Sequence, residues 1–341
     1  MRTKTFLAAG AAVSAFAMAG TAAAQDLTQT IQDRGVLECG VSTGLAGFSN
    51  PDSEGNWTGL DVDICKAIAA AMLGDADAVN YTPLTAQQRF TALQAGEVDV
   101  LSRNTTWTLT RDTSLGLHFA GVTFYDGQGF MVPAELGIES ALELDGASVC
   151  VQPGTTTELN LADYFRANGM EFEPVVIEQL EEVNAAYFSG RCDVYTTDRS
   201  GLASIRATVA DDPSAHDILP ETISKEPLGP AVQQGNDQFF NIVKWTVFAL
   251  VEAEELGVHS GNLDEMMDSE NPGIQRLLGV SPGMGEHLGL DEDWAYNAIA
   301  AVGNYGEIFD RNVGPDTPVG LSRGVNDLWT NGGLMYAMPV R

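Results

Sequence analysis

The stretch that decides the fold is VDVLSRNTTWTLTR, residues 98–111. It begins as a short apolar strand, residues 98–101, and continues directly into a loop of hydroxyl and amide side chains that ends at Arg111. The ordinary alternative is a polar loop with a solvated arginine. Short polar side chains, free backbone N–H groups and the planar fork of an arginine nevertheless suit a small carboxylate. The stretch therefore predicts an anion-binding loop at the end of a strand.

Strand and helix patterns alternate on the N-terminal side of this loop. Apolar spacing predicts a strand at residues 35–41, a helix at 61–73 and a short helix at 87–94. This alternation predicts a doubly wound α/β layer with a parallel sheet. The binding crevice of such a sheet lies beyond the carboxyl ends of its strands, so we expect the loops 42–48 and 102–111 to meet there.

A second α/β run begins near residue 129. Its strand, residues 147–151, leads to Gln152 and then to Thr155-x-x-Glu158, a capping-box pattern that predicts a helix start at Thr155. A helix start is also a ready anion site, although capping boxes are common in proteins that bind no anion. The residues predicted to form the apolar face of this helix are Leu159, Ala162 and Phe165.

A third strand, residues 191–198, ends in Asp198 at the same sheet edge. An aspartate at this position commonly caps the next helix, which is predicted at residues 200–208. Its functional role would be to bind an ammonium group. Arg111 and a helix start for a carboxylate, with Asp198 for an amine, together complement the zwitterion of an α-amino acid.

The first 24 residues have the composition of an export signal. Arg2 and Lys4 precede an apolar, alanine-rich stretch, and we expect cleavage near Ala24-Gln25. That stretch is short for a membrane span, so we expect an exported, periplasmic protein without direct membrane insertion. The length of 341 residues, less the signal, suits two lobes. The formal net charge of −30 makes nucleic acid and anionic membranes poor partners.

The four cysteines are Cys39, Cys65, Cys150 and Cys192. None belongs to a C-x-x-C pair and the four histidines are scattered, so the spacing of a metal site is missing and no cofactor is predicted. An even number of cysteines in an oxidising compartment indicates two disulfides. Three connectivities are possible, and we favour Cys39–Cys65 with Cys150–Cys192 because each pair then lies within one lobe.

Several further motifs follow one another in order along nearly the whole chain. They are residues 35–40 (GVLECG), 59–63 (GLDVD), 89–93 (RFTAL), 96–100 (GEVDV), 104–111 (NTTWTLTR), 126–130 (DGQGF), 152–158 (QPGTTTE), 224–230 (SKEPLGP) and 303–309 (GNYGEIF). In this order they resemble the periplasmic substrate-binding proteins of polar amino-acid ABC transporters, family 3 of the bacterial solute-binding proteins. The resemblance is strongest to the general L-amino-acid-binding members.

The resemblance implies a type II periplasmic-binding, or Venus-flytrap, fold: two doubly wound α/β lobes joined by two crossover strands. Lobe 1 would comprise residues 25–127 and 228–341, and lobe 2 residues 128–227. Residues near 256–300 and the tail 314–341 extend beyond the smaller members of the family, and no function is assigned to either.

The resemblance also implies roles for individual residues. The arginine at the position of Arg111 grips the ligand α-carboxylate, assisted by groups at Asn104 and Thr106. The helix start at Thr156 meets that carboxylate from lobe 2, and the aspartate at Asp198 takes the α-amino group.

Two departures from the smaller members concern the ligand side chain. Leu45 replaces an aromatic residue that some relatives stack on the ligand, so we expect broad selectivity. Gln152 replaces a lysine, while Arg89 lies on the first-lobe helix facing the cleft. This pair predicts acceptance of Glu, Gln, Asp and Asn.

The predicted function is to bind L-amino acids and deliver them to the permease subunits of an ABC transporter, with no catalysis. One alternative is a periplasmic enzyme of the same fold, such as a dehydratase, which needs a general acid or base aimed at its substrate. No Ser-His-Asp or Cys-His set is visible. A second alternative is an exported amino-acid sensor.

Overall fold

The structure is a computed structural model that describes residues 26–341, so the signal predicted at residues 1–24 lies outside the described residues. The strands are β1 (Leu37–Val41), β2 (Asn50–Pro51), β3 (Trp57–Thr58), β4 (Val79–Pro83), β5 (Val100–Leu101), β6 (Leu117–Phe119), β7 (Phe124–Asp126), β8 (Gln128–Pro133), β9 (Ser148–Val151), β10 (Glu173–Val176), β11 (Val194–Asp198), β12 (His216–Ile218), β13 (Glu226–Leu228) and β14 (Ala231–Gln233).

The α-helices are α1 (Leu27–Arg34), α2 (Leu60–Leu73), α3 (Gln88–Ala95), α4 (Leu109–Ser114), α5 (Thr156–Ala167), α6 (Leu180–Phe188), α7 (Arg199–Thr208), α8 (Asp237–Glu255), α9 (Leu263–Met266), α10 (Pro272–Leu277), α11 (Met284–Leu288), α12 (Trp294–Val302) and α13 (Tyr305–Asn312). Within residues 26–341, none of the helices has both the length and the apolar character that a bilayer crossing requires.

Two five-stranded sheets define two lobes. The sheet of lobe 1 has the order β4-β1-β5-β14-β6, and that of lobe 2 the order β10-β9-β11-β8-β12. In each sheet one strand, β14 or β8, pairs antiparallel with both neighbours. The prediction of a parallel sheet is therefore wrong for these strands. Each is the first strand that the chain forms after it crosses from the other lobe, so it is not preceded by a helical crossover within its own sheet, the connection that gives parallel neighbours.

The two lobes are joined by two crossover strands, as the fold predicted from the sequence requires. β7 and β13 pair antiparallel, with Glu226 opposite Asp126 and Leu228 opposite Phe124. β7 carries the chain into lobe 2, and β13 returns it to lobe 1. Groups on these hinge strands therefore lie beside both lobes.

Several element boundaries differ from the sequence predictions. The first strand begins at Leu37, because α1, which the sequence analysis missed, precedes it. The helix is capped by Gly35, which has a left-handed φ of 71°. In α5 the buried positions are Thr157, Leu161 and Phe165, spaced four residues apart. The prediction that Leu159 faces the core was wrong, because it lies two positions from this row and is 67% exposed. Ala162, also predicted inward, is exposed.

The structure contains the disulfides Cys39–Cys65 and Cys150–Cys192, the pairings favoured from the sequence. The first links β1 to α2 in lobe 1, and the second links β9 to the residues before β11 in lobe 2.

The long C-terminal part packs on lobe 1. α12 lies against α2, and Arg323 forms a two-pronged ion pair with Glu254 at 2.9 and 3.1 Å. The tail also reaches the hinge, because Asn326 exchanges two hydrogen bonds with the backbone of Tyr125, at 2.6 and 3.0 Å.

Candidate binding site

A cavity lies between the lobes, beyond the carboxyl ends of β1, β5, β9 and β11. Most of the residues predicted to bind ligand line it. From lobe 1 these are Leu45, Arg89, Asn104 and Thr106, and from lobe 2 they are Gln152, Thr155, Thr156 and Asp198. Among residues 26–341, no group of His, Cys, Asp or Glu side chains is arranged to hold a metal ion.

The cleft is closed over this cavity by contacts between the lobes. The Thr85 hydroxyl of lobe 1 donates to the Glu178 carboxylate of lobe 2 at 2.8 Å, and the Ser204 hydroxyl of lobe 2 donates to the Ala46 carbonyl of lobe 1 at 2.7 Å. The hydroxyls of Thr106 and Thr156 lie 3.3 Å apart across the cleft. These contacts bring the two lobes together over the cavity.

Asp198 is the carboxylate that lines the cavity. It occupies the N-cap position of α7 but makes no capping hydrogen bond with its side chain, and it is only 6% exposed. Burial raises the pKa of its carboxyl well above the ordinary value; Asp126 and Glu226 add to this rise, and Arg89 and Arg111 oppose it. The Asp198 side chain therefore does not cap α7, although the residue is at the N-cap position. A buried carboxylate without a donor favours a cationic partner.

Arg111 does not line the cavity in this structure. Its Nη1 donates to the Thr106 carbonyl at 3.0 Å, and its guanidinium carbon lies 5.0 Å from the centre of the Phe90 ring. Burial lowers its pKa, while the charges of Glu226 and Asp198 counteract this effect. Arg111 is therefore bonded to the loop at Thr106 and contributes positive charge next to the cavity. Its direct contact with a ligand carboxylate stays a prediction.

The arginine that does line the cavity besides Arg89 is Arg103, which the sequence analysis missed. It is 4% exposed, and its Nε donates to the Leu84 carbonyl at 2.9 Å. A signal was present, since Arg103 follows the strand β5 in the same polar stretch that ends at Arg111.

Asp61, in the first turn of α2, holds the loop that carries Arg103 and Asn104. Its Oδ2 accepts the Asn104 backbone N–H at 2.7 Å, and its Oδ1 accepts the Ser102 hydroxyl at 3.4 Å. Asn104 has a φ of +29°, a strained backbone conformation for a residue with a side chain. Burial raises the pKa of Asp61 to about 6. The sequence analysis placed Asp61 near the helix start but gave it no part in the site.

Glu226, on the hinge strand β13, was also missed as a site residue. Its Oε2 accepts the hydroxyls of Thr106 at 2.6 Å and Thr156 at 2.7 Å. Its Oε1 accepts the Asn160 amide at 2.7 Å and the Ser224 hydroxyl at 2.6 Å. One buried carboxylate thus connects both lobes and the hinge. The two threonine hydroxyls are engaged with it, so neither is free to donate to a ligand in this closed arrangement.

The remaining predicted residues keep the lobe-2 wall in shape. Thr155 caps α5, since its Oγ1 accepts the Glu158 backbone N–H at 3.1 Å and donates to the Gln152 carbonyl at 2.7 Å. Glu158 accepts the Gly154 backbone N–H at 3.0 Å, so the side chain does not complete the predicted box on Thr155. Gln152 donates to the Glu178 carbonyl at 2.8 Å.

Comparisons with known proteins agree with this architecture. Residues 37–259 match the family model described as bacterial extracellular solute-binding proteins, family 3. The chain is 58% identical to the general L-amino acid-binding periplasmic protein AapJ of Rhizobium johnstonii, over the full length of both chains. It is 55% identical to the glutamate/glutamine/aspartate/asparagine-binding protein BztA of Rhodobacter capsulatus, over 97% of this chain and 98% of the relative.

A solved structure of an ABC transporter/periplasmic binding protein from Brucella ovis with glutathione bound has 56% sequence identity and a TM-score of 0.91. The alignment covers 93% of this chain and 99% of that chain. The family model covers well over half of the chain, and the relatives match it from end to end. The chain belongs to family 3 of the bacterial extracellular solute-binding proteins.

Proposed function

We propose that the chain binds free L-amino acids in the periplasm and delivers them to the permease subunits of an ABC transporter. The observation that carries this proposal is Asp198, a buried carboxylate that makes no capping hydrogen bond, in the same cavity as Arg89 and Arg103. An α-amino acid supplies an ammonium for Asp198 and an α-carboxylate for the positive charge that Arg89 and Arg111 place near it. Charge-assisted hydrogen bonds of this kind are the strong ones in a closed site.

We further propose that the ligands include Glu, Gln, Asp and Asn. Leu45 offers an aliphatic wall, while Gln152 and Arg89 offer polar groups for a ligand side chain. The Rhodobacter relative is named for these four amino acids, and the Rhizobium relative is named as a general L-amino acid-binding protein. Both names support a broad range with polar side chains.

Export by a signal cleaved near Ala24-Gln25 is part of the same proposal, and the Rhizobium relative is named as periplasmic. The relatives are named as binding proteins, which supports delivery of an unchanged ligand rather than catalysis. Of the two alternatives, a dehydratase-like enzyme would convert its substrate. A sensor would bind the same ligands without delivering them to a permease.

A small γ-glutamyl peptide is a second candidate ligand, because the Brucella structure contains glutathione. The γ-glutamyl group of glutathione keeps a free α-amino group and a free α-carboxylate, so it presents the same zwitterion to Asp198. The rest of the peptide would need the lobes to separate further than in the closed structure, where Thr85 and Glu178 are in contact.

Isothermal titration calorimetry of the mature protein against the twenty amino acids, glutathione and 2-oxoglutarate tests these proposals. We expect binding by several L-amino acids, including the acids and their amides, and recovery of unchanged ligand by mass spectrometry. Binding of 2-oxoglutarate with no amino acid bound would refute amino-acid recognition, and conversion of a ligand would favour the enzyme. Glutathione binding without free amino-acid binding would make the peptide the ligand.

A further inference from the structure

We propose that Arg103, assisted by Arg89, binds the terminal oxygen of the ligand side chain and so makes the site select acidic amino acids over their amides and over apolar ones. This inference rests on the proposed amino-acid binding, which it extends from the α-amino acid group to the side chain. Neither the sequence motifs nor the names of the relatives assign a role to Arg103.

Arg103 is a buried cation with unused donors. Only 4% of it is exposed, and the single hydrogen bond of its side chain within residues 26–341 runs from Nε to the Leu84 carbonyl. Its two Nη groups therefore remain available to a ligand in the cavity that Arg103 lines. An arginine presents such donors as a planar fork, which matches the two oxygens of a carboxylate.

Arg89 is in a similar situation beside it. It is 3% exposed, its Nη1 makes one long hydrogen bond to the Thr105 hydroxyl at 3.3 Å, and its buried Nε has no partner. Burial lowers the pKa of both arginines, and Arg103 lowers that of Arg89 further because the two charges repel. Two buried cations that repel each other are stabilised by an anion that binds beside both of them in the cavity.

Contacts locate Arg103 away from the hinge, whereas Arg89, bonded to Thr105 and acted on by the charge of Glu226, lies nearer to it. Arg103 is held by Leu84, next to Thr85, and Thr85 contacts Glu178 of lobe 2. The Glu178 carbonyl in turn accepts the amide of Gln152. The hinge side of the cavity is different, because Thr106 and Thr156 meet there on Glu226.

The charges at the hinge side of the cavity are those of Arg111 and Glu226. Arg111 donates to the Thr106 carbonyl, and Glu226 is the main charge that opposes the effect of burial on the pKa of Arg111. The charged residues that line the cavity itself are Arg89, Arg103 and Asp198. Glutamate and aspartate add a second carboxylate that can pair with Arg103 and Arg89, whereas their amides supply only a carbonyl oxygen.

Calorimetry with three amino acids that differ at the end of the side chain tests the assignment. They are glutamate, glutamine and norvaline, and norvaline has no side-chain oxygen. The wild-type protein should bind glutamate more tightly than glutamine, and glutamine more tightly than norvaline. Arg103→Met should weaken glutamate binding about tenfold to a hundredfold, because a hydrogen bond to a charged group is lost, and leave norvaline binding within about twofold. Arg166→Met is the matched control, since this arginine side chain is 77% exposed in lobe 2.

Arg103→Lys guards against a folding defect in Arg103→Met, because it keeps the charge and loses only the fork. It should retain the native unfolding temperature and bind glutamate with an intermediate affinity. An equal loss for all three ligands in both folded variants would make Arg103 a structural or α-carboxylate residue and overturn the inference. An unchanged preference for glutamate would also overturn it, whereas wild-type protein that binds none of the three would overturn the proposed function itself.

Discussion

Asp198→Asn is the substitution that most directly examines amino-acid recognition. Asp198 is 6% exposed, lines the cavity and makes no capping hydrogen bond, so its side chain is available to a ligand ammonium. Asparagine keeps the size and one acceptor oxygen but removes the negative charge. The variant should therefore fold and bind amino acids about tenfold to a hundredfold more weakly, the value of a charge-assisted hydrogen bond.

The same geometry gives the expected discrimination against ligands without an amine. A keto acid leaves the Asp198 carboxylate buried without its cation, and loss of one partner from a buried pair costs about 3–5 kcal/mol. Glutamate should accordingly bind the wild-type protein about two to three and a half orders of magnitude more tightly than 2-oxoglutarate. In Asp198→Asn this gap should shrink, because the neutral amide accepts either ligand.

The pH dependence follows from the raised pKa of Asp198. A bound ammonium favours the ionised carboxylate, so ligand and proton compete for the same group. Glutamate affinity should be highest above this raised pKa and should fall as the pH drops through it. Asp198→Asn should have a flatter profile over the same range. Asp126, whose pKa burial raises to about 6, titrates nearby and is retained in both proteins.

Calorimetric titration of glutamate and 2-oxoglutarate into both proteins, repeated between pH 5 and pH 8, gives the dissociation constants that these predictions compare. Circular dichroism checks that the variant is folded. Equal affinity of the wild-type protein for the two ligands would refute the role of Asp198 as the ammonium partner. So would a variant whose preference and pH profile match those of the wild type.

Three further predictions concern the loop, the disulfides and the closure of the cleft. Arg111→Ala should weaken every amino-acid ligand by a similar factor, at least about tenfold, because it removes a shared buried cation; an unchanged dissociation constant would contradict this. Replacing both cysteines of the Cys150–Cys192 bridge by alanine should lower the free energy of unfolding by about 2–4 kcal/mol in denaturant titrations, and an unchanged midpoint would show that the bridge does not stabilise the fold. Gly154→Ala should weaken ligand binding, since its φ is +72° and the added Cβ would lie 3.1 Å from Gln87 Cγ across the cleft. Gly146→Ala is its control, because it has a φ of +81° and open space, so it should share the backbone strain but not the loss of affinity.

Local sequence patterns predicted much of this molecule, because the forces behind them act over a few residues. Helical spacing predicted α2, which begins at Leu60, and the Thr155-x-x-Glu158 pattern predicted the start of α5. Short polar side chains after β5 and β11 correctly predicted where the cavity lies, since strand ends of one direction meet at one edge of a sheet. Helical spacing did not predict the buried face of α5 correctly, because Leu159 fits a helical repeat with Phe165 as well as Leu161 does.

The chemistry inside the cavity depended on contacts between distant parts of the chain. Glu226 lies far along the sequence from Thr106, and only the hinge pairing brings the carboxylate onto that hydroxyl. Arg103 and Arg111 carry the same charge in the same loop, and the sequence offers no reason to prefer one. In the folded loop, which Asp61 holds at Asn104, Arg103 lines the cavity and Arg111 bonds to the Thr106 carbonyl.

The sequence by itself thus determined the α/β class, the strand ends that meet at the cleft and most of the residues predicted to line it, because backbone patterns and residue types are local properties. The tertiary structure alone decided which of those groups have a free donor or acceptor. That depends on packing. The Asp198 side chain makes no capping hydrogen bond at the start of α7, whereas the Thr106 and Thr156 hydroxyls donate to the carboxylate of Glu226 on the hinge strand.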